Sequence, residues 1–413
     1  MADRVTVIGS GIVGICTTLS LLEKGLKVEM IDRHPPATGA SYGNAGVISP
    51  WSCVPQSVPG LWRSVPRWLL DPKGPVALRW RYLPWFLPWM MRFFAAGDKQ
   101  RLPAIAEAMN ALNRPNVKLY RHHLQGTGHE AMVKKSVYVY VYRNADDADL
   151  SQLSWRMRAE RDVPLQRLDK QELHEIEPEL SSKYQAAIII KNQARALDPG
   201  GIGKALAEKA QIMGASFRQT GVDAIVPGGN DRWILQTNQG PLAADKIVIA
   251  AGAWSAHLLT PLGFKLPLEA ERGYHLVFRN PGITLNNSIM DTERKFVASS
   301  MLNGVRCAGT AEFAGLNAPP DYRRARIFKI LAKRLFPNIN VNDVDEWMGT
   351  RPSFPDSLPC IGEVPGHANL FVAFGHSHYG FGMAPNTGCV VADLVNGMVP
   401  NIDLTPYRIE RFR

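Results

Sequence analysis

The sequence predicts an α/β chain in which a parallel, dinucleotide-binding sheet is assembled from distant pieces and interrupted by a second domain. Three observations predict it. A β-branched run ends in the glycine turn Val7-Ile8-Gly9-Ser10-Gly11-Ile12-Val13-Gly14. A second apolar strand, Val28-Glu29-Met30-Ile31-Asp32, ends in an acid. A third apolar run from Lys246 opens into the small-residue loop Ala251-Gly252-Ala253-Trp254, as suits a parallel strand delivering backbone to a ligand at its carboxyl end. Length agrees, since 413 residues exceed the size at which one hydrophobic core stops growing.

Each glycine of the first turn has its own reason. Gly9 permits the tight turn, Gly11 lets backbone approach a pyrophosphate, and Gly14 allows close packing of helix on strand. The amphipathic stretch that follows, ending at Lys24-Gly25, presents unpaired N–H groups and the positive end of a helix dipole to phosphates. Asp32 is placed to accept hydrogen bonds from both ribose hydroxyls, which disfavours a 2′-phosphorylated dinucleotide. Arg33 beside it stacks on adenine or lies in solvent. The small, polar loop from Gly39 to Pro50 brings further backbone close to a ligand.

From Trp51 to Phe94 the composition changes: six of the ten tryptophans fall here among eight prolines counted from Pro50. Residues 104–123 read as helix, 136–142 as an alternating strand and 146–161 as helix. Asp198 and Pro199 read as N-cap and first helical residue, with a helix from Ile202 to Met213 closed by Gly214. Strand Ser216 to Gln219 leads to Val222 and a hairpin around Gly228-Gly229-Asn230. Two late clusters, Trp347 to Gly362 and Phe374 to Pro385, precede a last helix from about Asn386 to Asn396, closed by Gly397.

Apolar residues make up 46% and charged residues 20%, the balance of an ordinary globular chain without a membrane-spanning run. Five widely spaced cysteines indicate neither a disulfide framework nor a zinc site, and Cys16 reads as a small buried thiol. The formal charge of +10 is compatible with nucleic acid, a membrane surface or anionic substrates, but no nucleic-acid module accompanies it. The chain enters its first strand at Arg4-Val5, leaving no room for a cleavable signal, so a cytoplasmic location is expected.

These clusters, in this order, resemble the D-amino acid oxidase-like (DAO) family of FAD-dependent oxidoreductases, and within it the bacterial D-amino acid dehydrogenases. The resemblance spans nearly the whole chain: VIGSGIVG at 7–14, SYGNAGVISP at 41–50, ALDPGG at 196–201, AAGAWS at 250–255, RPSFPDSLPCIG at 351–362 and the GH-containing loop at 375–382. It implies a Rossmann-like FAD-binding domain of the glutathione reductase type 2 class, beside a substrate domain built on a mixed antiparallel sheet. The FAD-binding parts are expected at 1–50, 196–255 and 346–413, and the substrate parts at 51–195 and 256–345.

The resemblance implies FAD with its ADP half along Gly9, Gly11, Ile12, Val13, Gly14, Asp32 and Arg33. Its isoalloxazine is expected against Ser41, Asn44, Ala45, Gly46, Val47 and Ile48, and against Gly375, His376, Tyr379, Gly380 and Gly382. Val222 matches the position whose backbone meets adenine. Gly252 and Trp254 follow the strand end beside the cofactor, with a core indole as the alternative for Trp254. Ser353 stands near the place where some relatives carry a flavin-linked cysteine, so a dissociable FAD is expected.

The implied chemistry is hydride removal from the α-carbon of an amino acid to flavin N5, leaving an imine that hydrolyses to a 2-oxo acid and ammonia. Such a reaction asks chiefly for orientation. Arg351 is the expected clamp for the substrate carboxylate, through its planar fork; an ion pair is the alternative. Tyr274 and His275 are expected on a cavity-lining strand with only one facing inward, and His378 is a further candidate for substrate contact. Alternatives are a D-proline or D-hydroxyproline dehydrogenase, a sarcosine or glycine oxidase, and a non-enzymatic dinucleotide-binding protein that recruits a partner.

Between Gly60 and Ala95, Arg63, Arg67, Lys73, Arg79, Arg81 and Arg92 face a single acid, Asp71, and are interleaved with Trp, Phe, Leu and Met. Two readings stand together. One is a peripheral membrane contact on the inner face of the cytoplasmic membrane, serving a quinone-type electron acceptor. The other is a proline-broken cover over the active site.

Overall fold

The computed structural model describes residues 4–229 and 232–412. Its first sheet has six strands in the order Cys360–Glu363, Leu370–Phe374, Lys246–Ile249, Arg4–Ile8, Lys27–Asp32, Ser216–Gln219. All neighbours are parallel except the antiparallel edge strand Cys360–Glu363. Its central strands are buried on both sides, which explains their unbroken apolar sequence. A meander of Val222–Gly229, Arg232–Thr237 and Gly240–Ala244 packs beside it. The expected hairpin is present in the pairing of its strands, while Asn230 lies outside the described residues.

The first helix, Ile12–Glu23, is less amphipathic than its sequence suggests, because it is covered on nearly every side. A Cβ on Gly14 would sit 1.9 Å from the carbonyl oxygen of Gly9, and one on Gly9 would meet Ala250 at 2.3 Å. On another side, a Cβ on Gly388 of the last helix would meet the Cys16 carbonyl at 2.6 Å. Backbone therefore touches backbone on both faces, and Gly14 does the packing work its position predicts.

The second sheet is larger and mixed. Its order is Val344–Ser353, Glu269–Phe278, Gly304–Phe313, Phe296–Met301, Ser288–Asp291, Val133–Tyr142, Ala186–Ala196, Val47–Ile48, with Val76–Leu78 and Leu165–Leu168 paired at its flanks. Most neighbours are antiparallel. The expected domain step at 345/346 falls inside the strand Val344–Ser353, which pairs with Glu269–Phe278 along its whole length. Likewise Val47–Ile48, expected with the first sheet, pairs with Ala194 and Arg195 in the second.

Other expectations shift locally. The helix read over 104–123 is two, Leu102–Asn113 and Asn116–Leu124, because Pro115 interrupts the ladder. The helix read over 146–161 shrinks to Leu153–Ala159, preceded by a short 3-10 turn, Ala145–Asp147. The helix after Asp198 starts at Pro199 and ends at Ile212, without a side-chain bond from Asp198.

The last helix starts six residues earlier than expected, at Gly380, and runs to Val395 with Pro385 inside it. Proline has no N–H for the carbonyl four residues back, here Phe381. The buried Tyr120 hydroxyl supplies the missing donor, at 2.6 Å from the Phe381 oxygen. Among the described residues no helix is long and apolar enough to cross a membrane. Tyr120→Phe is expected to leave the Phe381 carbonyl unpaired in the core and to lower stability by about 1–3 kcal/mol, seen as a lower urea midpoint at unchanged slope.

Candidate active site

One cavity of about 1210 Å³ joins the carboxyl ends of the parallel strands to the face of the large sheet. That exceeds what one drug-sized ligand fills and has room for a dinucleotide with a small substrate beside it. Gly9, Gly11, Ile12 and Val13 line it, as do Asp32 and Arg33. So do Ser41, Asn44, Ala45 and Val47 from the small-residue loop, and Val222, Gly252 and Trp254 from the region around the meander. Gly375, His376, Tyr379, Gly380 and Gly382 close the opposite wall, where Arg351, His378 and part of Tyr274 also reach it.

Gly14, Gly46, Ile48 and His275 do not line it. Gly14 is consumed by helix-on-strand packing. Gly46, at φ +79°, fits against the Ala196 carbonyl, and Ile48 is fully buried in the core.

Two helix N-termini open into this space. Neither Gly11 nor Tyr379, their N-caps, makes a side-chain cap bond; the Ile12 N–H donates to Ser41 Oγ at 2.9 Å, and the second helix continues directly from the 3-10 turn Ser377–Tyr379. The Asp32 carboxylate is aimed by Ser10, whose N–H and hydroxyl donate at 2.7 and 3.1 Å, and by the His34 N–H at 3.0 Å. Trp254 is 39% exposed under the Arg33 guanidinium, 5.4 Å away, so it is a rim residue and not a core indole. Arg306, buried and absent from the sequence expectations, holds the small-residue loop by donating to the carbonyls of Tyr42 and Asn44 at 3.0 and 2.7 Å.

Arg351 stands opposite Glu271 in the register of paired strands. Its Nη1 donates to Glu271 Oε1 at 2.5 Å and to the Thr310 carbonyl at 3.3 Å. Glu271 Oε2 accepts from Ser353 Oγ at 2.8 Å and Gln56 Nε2 at 3.2 Å. Burial works against the Glu271 charge, yet the Arg351 charge and the Ser353 bond outweigh it and hold the carboxyl below its ordinary range. The guanidinium lies flat over Gly273, where a Cβ would come within 2.2 Å of Nη2. The second edge of the fork, Nη2 and Nε, makes no hydrogen bond to the described residues, and Arg351 lines the cavity.

Arg351 thus forms an ion pair, the alternative reading, and it also lines the cavity. Glu271, Gly273 and Gln56 were missed because strand register and long-range contacts leave no local signature. Glu271 and Gly273 do share one strand face, which alternation alone would have grouped.

Tyr274 and His275 offer no catalytic group. The Tyr274 hydroxyl donates to Glu312 Oε2 at 2.5 Å and accepts from the Asp321 N–H at 2.9 Å, anchoring a loop on the far side. His275 is buried beneath Trp347, stacked at 4.9 Å, with Nδ1 3.2 Å from the Gly43 carbonyl. Burial first, then the Arg306 charge, pulls its pKa down to about 3. His376 is tied to Thr387 Oγ1 at 3.1 Å and is likewise pulled to about 3 by burial, so it fixes its loop.

His378 opens onto the cavity with Nδ1 2.8 Å from Gln56 Nε2. Its enclosure lowers the pKa to about 4, with Glu271 opposing and Arg351 assisting. The nitrogen facing the Gln56 amide is therefore an acceptor in a neutral ring. Outside the cavity, Glu23, His122 and His123 bring ligand-type atoms within 4.8 Å of one another, with His122 Nε2 at 3.0 Å from Glu23 Oε1.

A family model described as FAD dependent oxidoreductase (DAO) matches residues 4–394. A D-amino-acid oxidase of Bradyrhizobium diazoefficiens is 36% identical, with 99% of each chain covered. A D-amino acid dehydrogenase of the same organism is 29% identical, again over 99% of each. In fold, the chain is similar to L-proline dehydrogenase from P. horikoshii, with TM-score 0.75 and 20% identity over 100% of this chain and 98% of that one. It is similarly close to glycine oxidase from Geobacillus kaustophilus, with TM-score 0.72 and 23% identity over 99% of both.

Ring signals of His275, His376 and His378 are expected to stay flat in an NMR titration from roughly pH 5.5 to 8, where an ordinary histidine titrates. A midpoint near 6.5 would refute the buried, neutral assignment of His275 or His376, or the neutral one of His378.

Proposed function

The chain belongs to the DAO family of FAD-dependent oxidoreductases, and from that premise we propose that it oxidises D-amino acids to 2-oxo acids and ammonia. The single observation that supports this most is that Arg351, with Nη2 and Nε free of protein hydrogen bonds, lines the same cavity as the glycine turn Gly9–Val13 and the loop 375–382. The residues present fit FAD. A Cβ on Gly11 would meet only Ser41 Oγ, at 3.5 Å, so that turn is open to a ligand and not filled by protein. Gly9 to Val13 with Asp32 would hold the ADP half, and the loops 41–47 and 375–382 the ring system. Bound there, FAD supplies the acceptor for the hydride leaving the substrate α-carbon.

The protein's own part is orientation. Arg351 grips the substrate carboxylate through Nη2 and Nε, while Glu271 and Thr310 fix Nη1 so that the fork cannot swing. Neutral His378 beside it accepts a hydrogen bond without adding a second positive charge. The N-terminus of the helix Gly380–Val395 favours negative charge developing next to it. Cofactor attachment is non-covalent in this reading: Cys360 is buried, absent from the cavity wall and 3.3 Å from the Arg411 guanidinium.

A quinone at a membrane is the proposed electron acceptor. The segment 60–95 supports it by being two-faced. Trp62, Trp80, Trp85 and Met91 are 58–70% exposed, among exposed Arg63, Arg67, Lys73, Arg81 and Arg92. Indoles suit headgroup depth and arginines suit anionic lipid. The other face of the segment walls the cavity, so membrane contact and cover are one device on the cytoplasmic side.

Anaerobic addition of a D-amino acid is expected to bleach the flavin, with L-amino acids, D-proline and sarcosine as comparisons and a quinone analogue and oxygen as acceptors. Arg351→Ala should raise KM roughly 100-fold, the worth of two charge-assisted bonds at about 1.5 kcal/mol each. Arg351→Lys should recover only part, and both should stay yellow until acid releases the colour to the supernatant. Unchanged KM would remove Arg351 from the site. Separately, the protein is expected to float with vesicles containing anionic lipid at low salt, and replacing Trp80 and Trp85 by Ser should abolish this; a protein that stays at the bottom of the gradient is no membrane binder.

A further inference from the structure

Beyond the clamp, the cavity wall changes character. Trp68, Phe86, Trp89, Met90, Phe93 and Phe313 line it. They interlock: Phe86 stacks on Phe313 with centroids 4.3 Å apart, and Trp89 on Phe93 at 5.1 Å. No charged side chain of residues 58–94 reaches the cavity, although the same segment carries six basic residues.

This apolar wall is tied directly to the clamp. The Trp89 indole donates to the Ser353 carbonyl at 3.1 Å, the Ser353 hydroxyl donates to Glu271 at 2.8 Å, and Glu271 holds Arg351 at 2.5 Å. One residue therefore links the rings to the guanidinium pair. An amino acid held there by its carboxylate lays its side chain against the rings. A cationic side chain would lose its hydration without gaining a partner, because both Glu271 oxygens are already engaged and the other charges near the wall, Lys295 and Arg158, are also positive.

We propose that this wall is a side-chain subsite for large uncharged apolar groups, making branched aliphatic and aromatic D-amino acids the substrate class. The proposal rests on the carboxylate-clamp reading of Arg351. A quinone ring is the rival occupant. The adjacency to the clamp favours the amino acid, since an electron acceptor has no need to touch the group that grips the substrate carboxylate.

The test uses the purified yellow protein and two readouts. In anaerobic flavin reduction, D-leucine and D-phenylalanine are expected to exceed D-alanine in kcat/KM by at least about 30-fold, within the range a fitted apolar pocket gives per few carbons, and D-lysine should be poorer still. In air, 4-methylpentanoate, which has no amine to oxidise, should perturb the flavin spectrum at concentrations at least about 30-fold below acetate. Met90→Trp, which fills the compartment, should erase both preferences. D-alanine or D-lysine oxidised as well as D-leucine overturns the subsite and leaves the clamp reading standing. A short-chain quinone that competes with 4-methylpentanoate, with no preference among D-amino acids, also overturns it and assigns the wall to the acceptor. If no D-amino acid bleaches the flavin and no carboxylate perturbs it, the clamp reading falls and the subsite with it.

Discussion

Backbone-on-backbone contact around the first helix is the constraint from which the site follows. Gly14 against Gly9 seats that helix on its strand, and Gly388 against Cys16 seats the last helix on the first. Any side chain at these glycines would separate the elements by more than a core tolerates, because interiors are packed as closely as organic crystals. With the contacts made, two helix N-termini from opposite ends of the chain open into one cavity. The positive ends of their dipoles then favour anions without any basic side chain.

The Arg351–Glu271 pair shows why geometry matters more here than charge counting. A half-buried ion pair is weak evidence for stability, since desolvation offsets much of the attraction. Its value lies in direction. Glu271 is itself held by Ser353 and Gln56, so it fixes one edge of the guanidinium and leaves the other without a protein partner among the described residues. Gly273 makes the arrangement possible, because only a residue without a side chain lets the planar fork lie flat on the strand. Next to so balanced a pair, the neutral state of His378 keeps the site free of surplus positive charge.

What the sequence made legible was local. The glycine turn, the acid at Asp32, the apolar strand from Lys246 and the small-residue loops each carry their reason within a few residues, and their cavity positions follow. Gly46 and Ile48 departed because a loop can approach a ligand with only some of its residues while the rest join a core. The start of the last helix was hidden by Pro385, a residue that ends helices unless a distant hydroxyl replaces its N–H, and Tyr120 is 265 positions away. Tyr274 and His275 looked chemical, but Glu312, Asp321 and Trp347 take up their polar atoms or cover their rings. The tryptophan-rich segment gave its composition without its sidedness, and sidedness decides which rings line the cavity and which meet solvent.

The parallel ladder between Arg4–Ile8 and Lys246–Ile249 has a consequence for biosynthesis. A strand made first waits for a partner some 240 residues later, an interval of roughly 12 to 50 seconds at ordinary translation speeds. Throughout that time its apolar edge is open, and the glycines that need Ala250 and Cys16 in opposition have only one half of each pair. The nascent chain therefore cannot acquire its cofactor pocket during early elongation. Until then that open strand edge is exposed to pairing with other unfinished chains.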